Sequence, residues 1–88
     1  MKTIEMTVID PAGIHARPAS LLVKEANKYK SDIQIEVADK KMTLKSILSI
    51  MALGIQENTE IKIHIDGDDE SDAEKSITEF LISEKLAR

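Results

Sequence analysis

Ile4, Met6 and Val8 alternate with Glu5 and Thr7, the two-residue period of a strand with one face buried and the other in water. The alternation recurs in Ile33, Ile35 and Val37 against Gln34 and Glu36, and in Ile61, Ile63 and Ile65 against Lys62, His64 and Asp66. Met42 and Leu44 predict a shorter strand, joined to the one before it by a hairpin at Ala38-Asp39-Lys40. Between these strands the period changes. Ala19, Leu22, Val23 and Ala26 have helical spacing, and the pattern predicts a helix running to about Tyr29 or Lys30. Leu21 lies off its main stripe, either partly exposed or closing the side of the core. A shorter helix is predicted from about Ile47 to Leu53, with Gly54 where a left-handed residue would end it. The last helix opens with Asp68, Asp69, Glu70 and Asp72 at the positive end of its dipole. It buries Ala73, Ile77, Phe80 and Leu81 and ends in the basic Lys85 and Arg88, complementary to the negative end.

The predicted order is β–α–β–β–α–β–α. Four alternating strands leave one sheet face wet, and three helices on the other face make an open-faced sandwich. At 88 residues, residues 1–88 read as one domain, and an apolar fraction of 42% is enough for one modest core. The chain has no cysteine, so disulfides and thiolate metal sites are excluded. No apolar run approaches the roughly 20 residues of a membrane span, and Met1-Lys2-Thr3-Ile4-Glu5 lacks a signal-peptide apolar region. A cytoplasmic monomer that binds no membrane is expected. A net charge of −4 and only two aromatics, Tyr29 and Phe80, disfavour a nucleic-acid binder. The acidic run at 68–72 lacks the spacing of a calcium loop and reads as helix-start charge.

Two stretches carry chemistry. The first is Gly13-Ile14-His15-Ala16-Arg17-Pro18-Ala19-Ser20, a loop turning into a helix. Pro18 sits in the first turn, where a missing N–H costs nothing, and Gly13 permits the tight approach. No Ser, Thr, Asp or Asn stands at the N-cap, so backbone N–H groups are left without partners. Those donors and the positive dipole end form an anion site. A histidine there can carry a phosphoryl group whose oxygens take up the open donors, and Arg17 adds a permanent charge with a donor fork matched to phosphate. A lone histidine at a helix start also serves as a surface residue or an improvised cap. His64, between Ile63 and Ile65, faces the wet side, with no cation or helix terminus expected beside it.

The second stretch is Lys45-Ser46-Ile47-Leu48-Ser49-Ile50-Met51-Ala52-Leu53-Gly54. Ser46 is an ordinary N-cap candidate, and a phosphate at a helix N-terminus is also favourable. Ile50 and Leu53 share a face, while Ile47, Leu48 and Met51 fall toward another. Either all five are core, or the second trio forms an exposed patch; the small domain leads us to expect the patch.

GIHARPAS resembles the active-site segment of HPr, the histidine-containing phosphocarrier family of the bacterial sugar phosphotransferase system. The run around Ser46 is similar to the regulatory segment of HPr from low-GC Gram-positive bacteria. The resemblance implies an α+β open-faced sandwich with a four-stranded antiparallel sheet and three helices on one face. It implies a phosphoryl acceptor at His15 with Arg17 as its helper and Ala16 and Pro18 at the helix start. It further implies a regulatory phosphoserine at Ser46 and partner contacts at Ser20, Ile47, Leu48 and Met51. The implied partners are enzyme I, sugar-permease IIA domains, HPr kinase/phosphorylase and the catabolite control repressor, with no metal, no cofactor and no catalysis of its own. Leu48 stands where Met or Phe is commoner, and Ala12 where Asn or Thr is, which removes a side chain able to steady the loop. Two other readings are a purely regulatory module of the same fold, which would keep the serine and lack the histidine, and a small RNA-binding domain. The intact His15 segment disfavours the first, and the acidic balance disfavours the second.

Overall fold

Alternating isoleucines build the sheet, and helically spaced small and branched residues build the layer that covers it. The computed structural model describes residues 1–88. The elements are β1 (Lys2–Thr7), α1 (Ala16–Ala26), β2 (Asp32–Val37), β3 (Lys40–Thr43), α2 (Ile47–Leu53), β4 (Glu60–Asp66) and α3 (Glu70–Ser83). Their strands lie in the order β1-β4-β2-β3, and every neighbouring pair is antiparallel. The crossover through α1 keeps β1 and β2 apart, and β4 fills the gap between them.

Register then separates the two faces. Ile4, Ile63, Ile35 and Met42 stand opposite one another across the four strands and point toward the helices. The neighbouring row on the other face is Glu5, Lys62, Glu36 and Lys41, alternating in sign, which is the favourable cross-strand arrangement for exposed charges. On the inner face Ile33, Ile35, Ile61, Ile63 and Ile65 are buried, as are Leu22, Ile50, Ile77 and Leu81 from the three helices. These belong to one apolar cluster that joins sheet and helices. Ala19, Ala26 and Ala73 are fully buried within it, and such small side chains let helix backbones approach their neighbours closely. No helix is long and apolar enough to cross a membrane.

Several element ends differ from the sequence expectation. The first helix stops at Ala26, short of Tyr29. Its chain tightens there into i→i−3 bonds, Lys28 N–H to Glu25 O at 3.2 Å and Tyr29 N–H to Ala26 O at 3.3 Å, while the Asn27 side-chain amide donates to Val23 O at 2.9 Å. Leu44 follows β3 instead of lying in it, although its N–H still donates to Ile33 O at 2.9 Å and its side chain is fully buried. The last helix ends at Ser83, so Lys85 and Arg88 are not its final turn. Lys85 takes φ +56°, Leu86 and Ala87 are buried, and Thr7 and Arg88 exchange two backbone hydrogen bonds of 2.7 and 2.9 Å. Burying Leu86 and pairing the edge of β1 outweigh another turn of helix. Phe80, expected in the buried stripe of α3, is only half-buried.

Candidate functional site

His15 is the N-cap of α1, with φ −93° and ψ −176°, and makes no side-chain cap. The helix's first internal bond runs from Ala19 N–H to His15 O at 2.9 Å. Pro18 has no N–H to offer, so the open donors are the amides of His15, Ala16 and Arg17, none of which meets a protein acceptor. His15, Ala16, Arg17 and Ser20 are exposed, and Pro18 is buried. His15 and Arg17 line a shallow cleft of about 120 Å³ together with Asp10, Pro18, Leu21, Glu84 and Leu86. An imidazole, a guanidinium and open amides at the positive end of an 11-residue helix are suited to hold the charge of a phosphoryl group.

The loop before His15 is held from two sides. From within, the Asp10 carboxylate accepts the Ala12 N–H at 2.8 Å, and Asp10 O accepts the Gly13 N–H at 2.8 Å. From outside, Ile14 N–H donates to Ile55 O at 3.1 Å, and the Ile14 side chain is buried. Gly13 has φ +69°, and a Cβ there would run into the Ile55 carbonyl oxygen and lie 2.8 Å from Gln56 Cα. The Asp10 contacts, the Ile55 brace and Glu84 in the cleft were all missed from sequence. Asp10 followed by Pro11 is an Asx-turn signature that does indicate the first of them.

In the second stretch the structure selects the exposed patch over the all-core helix. Ser46 caps α2, its hydroxyl accepting the Ser49 N–H at 3.3 Å, and Gly54 ends the helix with φ +59° and ψ +46°. Ile50 is fully buried, whereas Ile47, Leu48 and Met51 are 41%, 83% and 41% exposed. Leu21 is 39% exposed. Both ends of α2 are tied to α1. Before it, Asn27 Nδ2 donates to Lys45 O at 3.3 Å and Lys45 Nζ to Tyr29 O at 2.7 Å. After it, Ile55 braces the loop that carries His15.

The remaining polar groups are engaged elsewhere. His64 lies on the open sheet face, half-buried, with Nε2 2.7 Å from Glu36 Oε1 and Nδ1 3.5 Å from Thr3 Oγ1. The His64 hydrogen bond holds the Glu36 carboxyl below its ordinary range. Asp69 stands at the start of α3 but does not cap it. Its carboxylate accepts the Ser31 hydroxyl, the Lys30 N–H at 2.7 Å and the Ser31 N–H at 2.9 Å. Those bonds, the Ser31 hydroxyl first, lower its carboxyl too. The acidic run therefore joins α3 to the approach to β2, a role beyond the helix-start charge read from sequence.

Residues 2–83 match the family model described as the PTS HPr component phosphorylation site. Among solved structures, the chain is similar to the histidine-containing phosphocarrier protein of Mycoplasma, with 40% identity, a TM-score of 0.96 and 99% of each chain covered. It is similar to phosphocarrier protein HPr of Bacillus anthracis, with 35% identity and a TM-score of 0.83 over 90% of this chain and 94% of that one. It is also similar to the catabolite repression protein Crh of Bacillus subtilis, with 34% identity and a TM-score of 0.73 over 90% of each chain; that protein forms a swapped dimer.

Proposed function

The chain belongs to the HPr family of the phosphotransferase system, whose members are phosphocarriers and not catalysts themselves, and on that footing we propose how its residues divide the work. His15 accepts a phosphoryl group from phosphorylated enzyme I, which has been charged from phosphoenolpyruvate. The N–P bond of the donor's phosphohistidine breaks as a bond forms to a ring nitrogen of His15, by family resemblance Nδ1. A histidine of a sugar-permease IIA domain then takes the group in the same way. Such transfer depends on in-line geometry and charge stabilisation more than on proton movement. Arg17 and the amides of Ala16 and Arg17 supply the stabilisation.

The observation that carries this reading is the uncapped helix start, where His15 and Arg17 share one cleft with open amide donors. Incubation with enzyme I and labelled phosphoenolpyruvate should put acid-labile label on the wild type and on His64→Ala, and none on His15→Ala. Label on His15→Ala would refute the assignment.

Ile47, Leu48 and Met51, with the exposed Ser20 of α1, form the docking surface for enzyme I and the IIA domains. Ser46 is the regulatory acceptor for HPr kinase/phosphorylase. A phosphate there adds charge beside an apolar contact, weakening enzyme I docking by repulsion and desolvation and creating a surface for the catabolite control repressor. The likeness to Crh supports a part in catabolite control. Incubation with the kinase and ATP should give acid-stable label on the wild type and none on Ser46→Ala. The chain acts as a monomer in this scheme. A dimer mass in light scattering at working concentration would instead favour an assembly like that of Crh.

A further inference from the structure

We propose that Asp10 is a positioning residue for phosphoryl transfer at His15, an inference that rests on His15 being the acceptor. Three observations converge on it. Asp10 accepts two hydrogen bonds from the loop that delivers His15, through its carboxylate from Ala12 N–H and through its carbonyl from Gly13 N–H, each at 2.8 Å. Pro11 between them has no N–H and a restricted φ, so the Asx turn is made by a segment with little freedom left to lose. Asp10 also lines the cleft shared by His15 and Arg17.

The physical need is clear from the residues around it. Ala12 is exposed and has no polar side chain with which to hold the loop itself. Gly13 is the most permissive residue in the backbone, and it precedes the catalytic imidazole by two positions. The Ile55–Gln56 backbone lies close against Gly13 and hydrogen-bonds Ile14, and it makes no hydrogen bond to Pro11 or Ala12. Without the Asp10 carboxylate, the Ala12 amide loses its acceptor and the turn before Gly13 loses one of its two local hydrogen bonds. The His15 ring then samples directions that are not in line with an incoming phosphorus. The docking patch, on α2 and at Ser20 of α1, is not part of this turn, so the loss falls on the transfer step and not on encounter.

The test is steady-state phosphorylation by enzyme I and phosphoenolpyruvate, with the chain as the varied substrate. Asp10→Ala should lower kcat about tenfold and leave KM within about twofold, since small misplacements of a reacting group are costly in rate. Asp10→Asn keeps an acceptor oxygen for the Asx turn and should restore kcat to within about twofold of the wild type. A wild-type kcat in Asp10→Ala overturns the proposal. So does an Asp10→Asn as slow as Asp10→Ala, because charge and not the turn would then matter, and so does a loss confined to KM. If Asp10→Ala does not fold, Asp10→Ser, which makes the weaker hydroxyl version of the turn, should show an intermediate kcat, and wild-type behaviour there is equally fatal. Label on His15→Ala, or none on the wild type, would instead strike the His15 assignment itself.

Discussion

Alanine at Gly13 and at Gly54 should separate two costs that usually arrive together. Both glycines have left-handed backbone, φ +69° and +59°, where an L side chain costs roughly 1–2 kcal/mol. Reduced freedom of the unfolded chain returns about 0.4–1 kcal/mol of that. At Gly54 nothing lies within 4 Å of the added methyl, so the net loss should be about 1 kcal/mol. At Gly13 the methyl meets the Ile55 carbonyl oxygen and Gln56 Cα at 2.8 Å, and both are backbone. Relief requires the two segments to part, which breaks the Ile14 N–H bond to Ile55 O at about 1 kcal/mol and adds overpacking strain of about 1–3 kcal/mol. Gly13→Ala should therefore lose about 3–5 kcal/mol. The difference of about 2–4 kcal/mol corresponds to roughly 8–32 °C in Tm for a domain of this size. Urea unfolding followed by circular dichroism measures both variants, and an unchanged m-value certifies that stability alone has moved. Equal losses at the two positions would refute the collision argument and, with it, the brace assigned to Ile55.

Ser46→Ala should cost about 1 kcal/mol in urea unfolding through the lost cap on α2, while Ser46→Asp, still able to accept the Ser49 N–H, should lose less than half of that; identical losses would deny the cap. Leu48→Ser should change stability by no more than about 0.5 kcal/mol yet raise KM for enzyme I, whereas Ile50→Ala, at a fully buried position, should cost about 2–5 kcal/mol; a destabilised Leu48→Ser would place that side chain in the core. Asp69 has its carboxyl held below the ordinary 3.8 by the Ser31 hydroxyl and neighbouring amides. Its stabilisation is therefore full above pH 3.8 and is lost as pH falls through the lowered folded value. Asp69→Asn should flatten that acid limb in thermal melts between pH 2 and 5, and an unchanged limb would count against the Ser31 contact.

The inward residues of every strand were legible from the chain because alternation is a local property: one residue turns the side chain over, whatever the strand later pairs with. The uncapped helix start at His15 and the Ser46 cap were legible for the same reason, since each follows from residues within one or two helical turns, whereas the exposure of Leu48 was expected from the small size of the domain and not from spacing. Other features depend on neighbours far along the chain. That β4 separates β1 from β2 follows from how the α1 crossover returns to the sheet, not from any signal in Glu60–Asp66. The early end of α3 reflects Leu86 reaching the core and Arg88 pairing with Thr7, 81 residues away by number. Asp69 abandons its own helix for Ser31, and His64 meets Glu36 across a strand boundary. Conformational preference and facing are written into short windows of sequence, whereas partners are selected by packing one closed core, and only the folded chain brings those distant groups within hydrogen-bonding reach.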